Sequence, residues 1–116
     1  MKLRLICCLF AVLGLGPRQD PSALIDHHQH FFSKAVSGSA PTIPVVTAAD
    51  LIPLLDVAGI RRAVIFSQGY QFGNPNRPPV EDEYTKVKAE NDWTSQQIAR
   101  HPQRLRGFCG LNPLKD

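Results

Sequence analysis

Two histidines, His28 and His30, stand two residues apart in the stretch Ile25-Asp26-His27-His28-Gln29-His30. Leu24 and Ile25 lead into it and Phe31-Phe32 follow, so the stretch reads as a β-strand. Side chains alternate along a strand, which places Asp26, His28 and His30 on one face and His27 and Gln29 on the other. Two imidazoles at this spacing can reach one cation at about 2.0–2.1 Å each. A carboxylate two residues earlier can fix the orientation of one ring from outside the ligand set. The chemistry on offer is half of a divalent-metal centre, with zinc the first choice. Histidines also sit at ordinary polar strand ends, so an H-x-H pair alone leaves that reading open; the preceding Ile-Asp favours the metal.

A second group of candidates lies in the loop from Gln68 to Pro79, where three prolines restrict the chain and Tyr70, Phe72 and Arg77 are available to a substrate. Arg77 would meet an acidic substrate with a bidentate fork. The competing reading is a rigid connector whose aromatic rings tuck onto the domain. Ser67 and Asn112 follow predicted strands, and Asn112 joins the substrate-binding candidates. Of the three cysteines, Cys7 and Cys8 are adjacent and Cys109 stands alone. With no C-x-x-C, no zinc ribbon or redox motif is readable.

The elements that must position these residues alternate. A strand over Leu24 to His30 is followed by a connection from Phe31 to Val46, rich in Ser, Gly, Ala and Pro, long enough for a lid or binding loop. Leu51, Leu54, Leu55 and Ala58 recur with helical spacing. Thr47-x-x-Asp50 resembles a capping box, but a helix starting at Asp50 keeps Pro53 in the first turn, where its missing N–H is harmless. Gly59 ends this helix. Arg62 to Phe66 forms a strand apolar enough to be buried on both faces. A second helix spans Val80 to His101, with Val80, Tyr84, Val87, Asn91, Thr94 and Ile98 as its buried stripe. Asn91 reads as a buried hydrogen-bonding residue and Trp93 as packing. Leu105 to Leu111 is the third strand. The order β-α-β-α-β predicts an α/β fold with a parallel sheet and right-handed crossovers.

The chain resembles the amidohydrolase superfamily, whose first barrel strand carries an apolar-Asp-x-His-x-His signature. Glu90-Asn91-Asp92-Trp93 and Ala99-Arg100-His101-Pro102-Gln103-Arg104-Leu105-Arg106-Gly107-Phe108 are similar to the helix end and third strand of its amidohydrolase-related branch. The likeness covers roughly residues 24 to 116. It implies the N-terminal β-α-β-α-β portion of a (β/α)8 TIM barrel, truncated, since such a barrel takes about 250 residues. It also implies a metal-dependent hydrolase acting on a small-molecule cyclic ester or amide, with His28 and His30 as metal ligands and Asp26 supporting them. The family's remaining ligands, and an aspartate that moves protons, come from later strands. His101 is no substitute, because it lies at the far end of a helix, towards the N-terminal face of the next strand. The enzymatic alternative is a metal-dependent decarboxylase of an aromatic or unsaturated acid. A third reading is a truncated, non-catalytic product, and the 116-residue piece is expected to be inactive by itself.

Lys2 and Arg4 precede an apolar run from Leu5 to Leu15, which predicts a signal peptide over residues 1–16 and a linker over 17–23. That run is too short to span a bilayer. The expectation is a secreted or periplasmic protein, or a cytoplasmic one if the segment is not a signal. The net charge of +3 is scattered, with no basic run to follow a nucleic-acid backbone.

Overall fold

Three short strands form one parallel sheet in the order β1-β2-β3: β1 is Ile25–Gln29, β2 is Arg62–Phe66 and β3 is Leu105–Phe108. The computed structural model describes residues 24–39 and 42–113. The expected signal segment at 1–16 and linker at 17–23 lie outside the described residues. Among the described residues the chain is α/β, and no helix is long and apolar enough to cross a membrane.

Three α-helices lie in the connections between the strands. In the β1–β2 connection a one-turn helix, α1 (Lys34–Gly38), precedes α2 (Ala48–Val57). The Ser33 hydroxyl caps α1 by accepting the Val36 N–H at 3.3 Å. Phe32 and Val46 form an antiparallel bridge, each N–H reaching the other's carbonyl at 3.0 Å, so the long connection is pinned at both ends. Helix α2 starts two residues before the predicted Asp50. The Asp50 carboxylate accepts from the Thr47 N–H at 2.8 Å and from its hydroxyl at 2.7 Å. That cap outweighs the cost of placing Pro53 inside the helix, because the carbonyl left without a donor belongs to exposed Ala49 and is open to water. Gly59 ends α2 at φ 68°. Ile60 N–H then bonds the Leu55 carbonyl at 2.8 Å and Gly59 N–H that of Asp56 at 3.1 Å, which closes a Schellman motif.

Helix α3 (Glu83–Ala99) follows a 3-10 turn at Gly69–Gln71. It is shorter than predicted, since its N-cap Asp82 takes φ 53° and leaves Val80 and Glu81 outside. Its buried residues are Val87, Glu90, Thr94 and Gln97, while the expected stripe member Tyr84 is 71% exposed. The face is rotated towards polar residues for a local reason. Glu90 and Gln97 reach across to Ser33 and to the Ala48 N–H, tying α3 to the starts of α1 and α2.

The core lies on one side of the sheet. Phe31, Ala48, Leu51, Leu55, Ala63, Ile65 and Leu105 form it, with Ile52, Ile60, Trp93 and Ile98 packed against it. Trp93 meets Phe31 edge-on at 6.4 Å, a packing role as expected. Strand β2 is not buried on both faces. Ala63 and Ile65 are covered, whereas Val64 and Phe66 on the other face are only half-buried. Phe66 stacks on the 60% exposed Phe108 at 5.4 Å on that open face.

Candidate metal centre

Strand β1 reaches the site through a bulge. Asp26 pairs with Ala63 and Gln29 with Ile65, so three steps on β1 oppose two on β2. The extra residue interrupts the simple alternation that put Asp26, His28 and His30 on one face. The Asp26 carboxylate turns to the bulge itself. It accepts the His28 N–H at 3.0 Å and the Gln29 side-chain amide at 2.6 Å. The His28 N–H bond, followed by the Gln29 bond, holds the Asp26 carboxyl below the usual carboxylate range. Asp26 thus shapes the backbone between the two histidines, and the ring-orienting contact comes from elsewhere.

That contact is the Phe66 carbonyl at the end of β2, 2.8 Å from His30 Nδ1. A carbonyl only accepts, so Nδ1 carries the proton and His30 Nε2 presents a lone pair. His28 Nε2 lies 3.0 Å from His30 Nε2. With His30 protonated on Nδ1, the hydrogen between the two rings belongs to His28. A cation at about 2.0–2.1 Å from both nitrogens would take that proton's place and subtend an angle of roughly 95°. A tetrahedral ion asks for roughly 3.3–3.4 Å between the nitrogens, a parting of a few tenths of an ångström. The His28 ring is held by stacking on Phe66 at 4.7 Å. The donor set therefore fits two adjacent positions of a metal centre. Among the described residues no group of three His, Cys, Asp or Glu side chains gathers around one point.

The pair opens into a pocket of about 400 Å³ whose wall includes Phe66, Ser67, Tyr70, Cys109 and Gly110. Its walls are the segments just past the C-terminal ends of β2 and β3, where ligands of parallel sheets gather. Asn91 clamps one wall. Its amide donates to the Gly110 carbonyl at 2.9 Å and accepts the Gly110 N–H at 2.8 Å, the hydrogen-bonding role its sequence position suggested. A side chain at Gly110 would meet the Ser67 carbonyl at 2.8 Å and the Tyr70 nitrogen at 2.9 Å, so only glycine fits.

Of the loop candidates, Tyr70 joins the histidines; its hydroxyl accepts from Gln71 at 2.8 Å. Phe72 turns away and lines a separate cavity. Arg77 is exposed and lies outside the histidine pocket. Asn112 is 6% exposed and donates to the Gly73 carbonyl at 2.6 Å, so it braces the loop. No motif pointed to the Phe66 carbonyl or to Cys109 in this site. The usable signal was positional, since both fall at or just after a strand's C-terminal end. Neither the models of known protein families nor the curated proteins match this chain.

Proposed function

We propose that this chain is the metal-bearing N-terminal part of a TIM-barrel hydrolase of the amidohydrolase-related branch, acting on a small cyclic ester or amide. The observation that supports it is the convergence of His28 and His30 Nε2 at 3.0 Å, with the Phe66 carbonyl fixing the His30 tautomer. When bound, a divalent cation, zinc first, supplies the Lewis acidity that polarises a carbonyl and makes hydroxide accessible near neutral pH. His28 and His30 would hold two coordination positions, with the His28 hydrogen moving to its Nδ1 so that Nε2 offers a lone pair. The Phe66 ring shields one side of the pair and Tyr70 offers a hydroxyl beside it. The remaining ligands and the proton-moving carboxylate come from later barrel strands.

Calorimetric titration with zinc tests this reading. The chain is expected to bind weakly, because metal centres of defined geometry use at least three protein ligands. Binding should vanish in the His28→Ala, His30→Ala double variant. Zinc binding that survives the double variant would overturn the proposal. Tight one-to-one binding by this chain would point to a self-contained metal module. For the hydrolase itself, a protein extended with the later strands should open a lactone or lactam ring only while both histidines are present.

A further inference from the structure

Basic residues that are scattered along the sequence are gathered by the fold at the end of the sheet where the strands begin. Arg61 and Arg62 lead into β2, Arg104 and Arg106 flank Leu105 at the start of β3, and Arg100 follows the last turn of α3. The register sets Ile25 opposite Arg62 and Ala63 opposite Leu105, so the three strand starts are level. Arg104 is committed to the fold, pairing with Asp56 at 2.6 Å and donating to the Arg61 carbonyl at 2.7 Å. Arg106 bends back onto the Pro102 and Leu105 carbonyls. Arg61, Arg62 and Arg100 are exposed, and no carboxylate pairs with them among the described residues. Asp56 is neutralised by Arg104, and Asp26 turns its carboxylate to the β1 bulge.

Aliphatic side chains stand at the same end. Leu54 and Val57, on the last turn of α2, are 66% and 89% exposed. Leu24, whose carbonyl accepts the Arg61 N–H at 3.0 Å, is 50% exposed. A single exposed aliphatic residue is ordinary. Aliphatic residues beside unpaired arginines match the two forces that hold a protein on an anionic bilayer, namely attraction to lipid phosphates and burial of apolar groups among the headgroups. We propose that this end of the chain is a docking surface for an anionic phospholipid bilayer, with Arg61, Arg62 and Arg100 against the phosphates and Leu24 and Val57 between the headgroups. A nucleic acid fits less well, because bases need aromatic platforms. Among the described residues this end offers no Phe, Tyr or Trp; Phe66 and Phe108 stand at the opposite ends of β2 and β3. The histidine pair also lies at that opposite end, so loss of metal binding would leave this surface intact.

Flotation of the full chain with vesicles tests the proposal, since bound protein rises with the lipid while self-associated protein sediments. Vesicles of phosphatidylcholine with phosphatidylserine should bind the chain at least tenfold more tightly than phosphatidylcholine alone, and added salt should erase the difference. The Arg61→Gln, Arg62→Gln, Arg100→Gln triple variant should lose about a hundredfold in affinity for the anionic vesicles. Lys34→Gln, Lys86→Gln, Lys88→Gln removes the same charge away from this end and should change affinity by only about twofold. Val57→Ser, at a position too exposed to matter for folding, should weaken binding about fivefold and keeps the test open if the arginine variant folds poorly. The segment 1–16, with its own Lys2 and Arg4, is common to every variant, so the differences among them report on this end alone. Equal losses in the two triple variants would mean that only net charge is read, and would overturn the proposal. So would the absence of any preference for anionic vesicles, or tighter binding to a single-stranded oligonucleotide than to those vesicles.

Discussion

His30 donates its Nδ1 hydrogen to the Phe66 carbonyl, so it ties β1 to β2 as well as turning Nε2 towards His28. His28 has only its ring stack on Phe66 and the proton it shares with His30. The two alanine variants should therefore differ. Both should lower zinc affinity at least tenfold, but His30→Ala should also lose about 0.5–1.5 kcal/mol of stability for the interstrand bond. Zinc titration paired with urea unfolding checks this; equal stability losses would show that the Phe66 bond is immaterial. Glu90 supplies a pH test. Burial, outweighing hydrogen bonds from the Ser33 hydroxyl and the Ser33 backbone N–H, pushes its carboxyl above the ordinary value of 4.5. The folded state then binds the proton more tightly than the unfolded state. The Glu90 contribution is full below that ordinary value and is lost as pH rises through the raised one. Asp26 runs the other way, its contribution present above 3.8 and lost as pH falls through its lowered value. Unfolding experiments across this range should show stability declining on the alkaline side of 4.5, with Lys34 and Lys86 the charged groups that line the same cavity as Glu90. Glu90→Gln should flatten that decline. An unchanged slope would assign it to other groups.

Helix α3 is the element that ties the two halves of the chain together. It holds the α1 start through Ser33–Glu90, the α2 start through Ala48–Gln97, and the wall of the histidine pocket through Asn91–Gly110. Asn91→Ala leaves both Gly110 backbone groups without their partner, which should cost about 1–3 kcal/mol. Gly110→Ala pushes a methyl group against two backbone atoms that cannot step aside. Chemical denaturation should find both variants destabilised. Zinc affinity should fall in Gly110→Ala as well, because Tyr70 and Ser67 border the histidines. A neutral Gly110→Ala would mean that the β3 end is looser than its contacts imply. By contrast, Ile65→Ala acts through the core alone. Ile65 is 0% exposed, and its truncation should cost about 2–5 kcal/mol.

At the scale of the molecule, one sheet face is covered and the other is not. Phe108 is 60% exposed and Ile25 42%, and β1 and β3 are the edges of the described sheet. Unpaired edges beside an apolar face are templates for association. The chain should therefore elute from size-exclusion chromatography as a concentration-dependent mixture, and Phe108→Lys should shift it towards monomer. A sharp two-state unfolding transition from a monomeric wild type would show that the open face needs no cover, and would count against a barrel origin.

The sequence by itself determined the α/β order, the place of β2 and the glycine stop of α2, because these follow from local periodicity and from glycine's access to positive φ. It also picked out His28 and His30, since two imidazoles two residues apart share a strand face over so short a distance that even a bulge leaves them converging. It could not determine what they converge beside. The Phe66 carbonyl, Cys109 and Gly110 come from strands far along the chain, and only the parallel pairing of β2 with its neighbours brings them together. Tertiary structure likewise decided that Glu90 and Gln97, rather than Tyr84, turn inwards. A hydrophobic period ranks residues by transfer from water, whereas Gln97 here answers to a backbone donor at the start of α2, and Glu90 to the Ser33 hydroxyl at the start of α1.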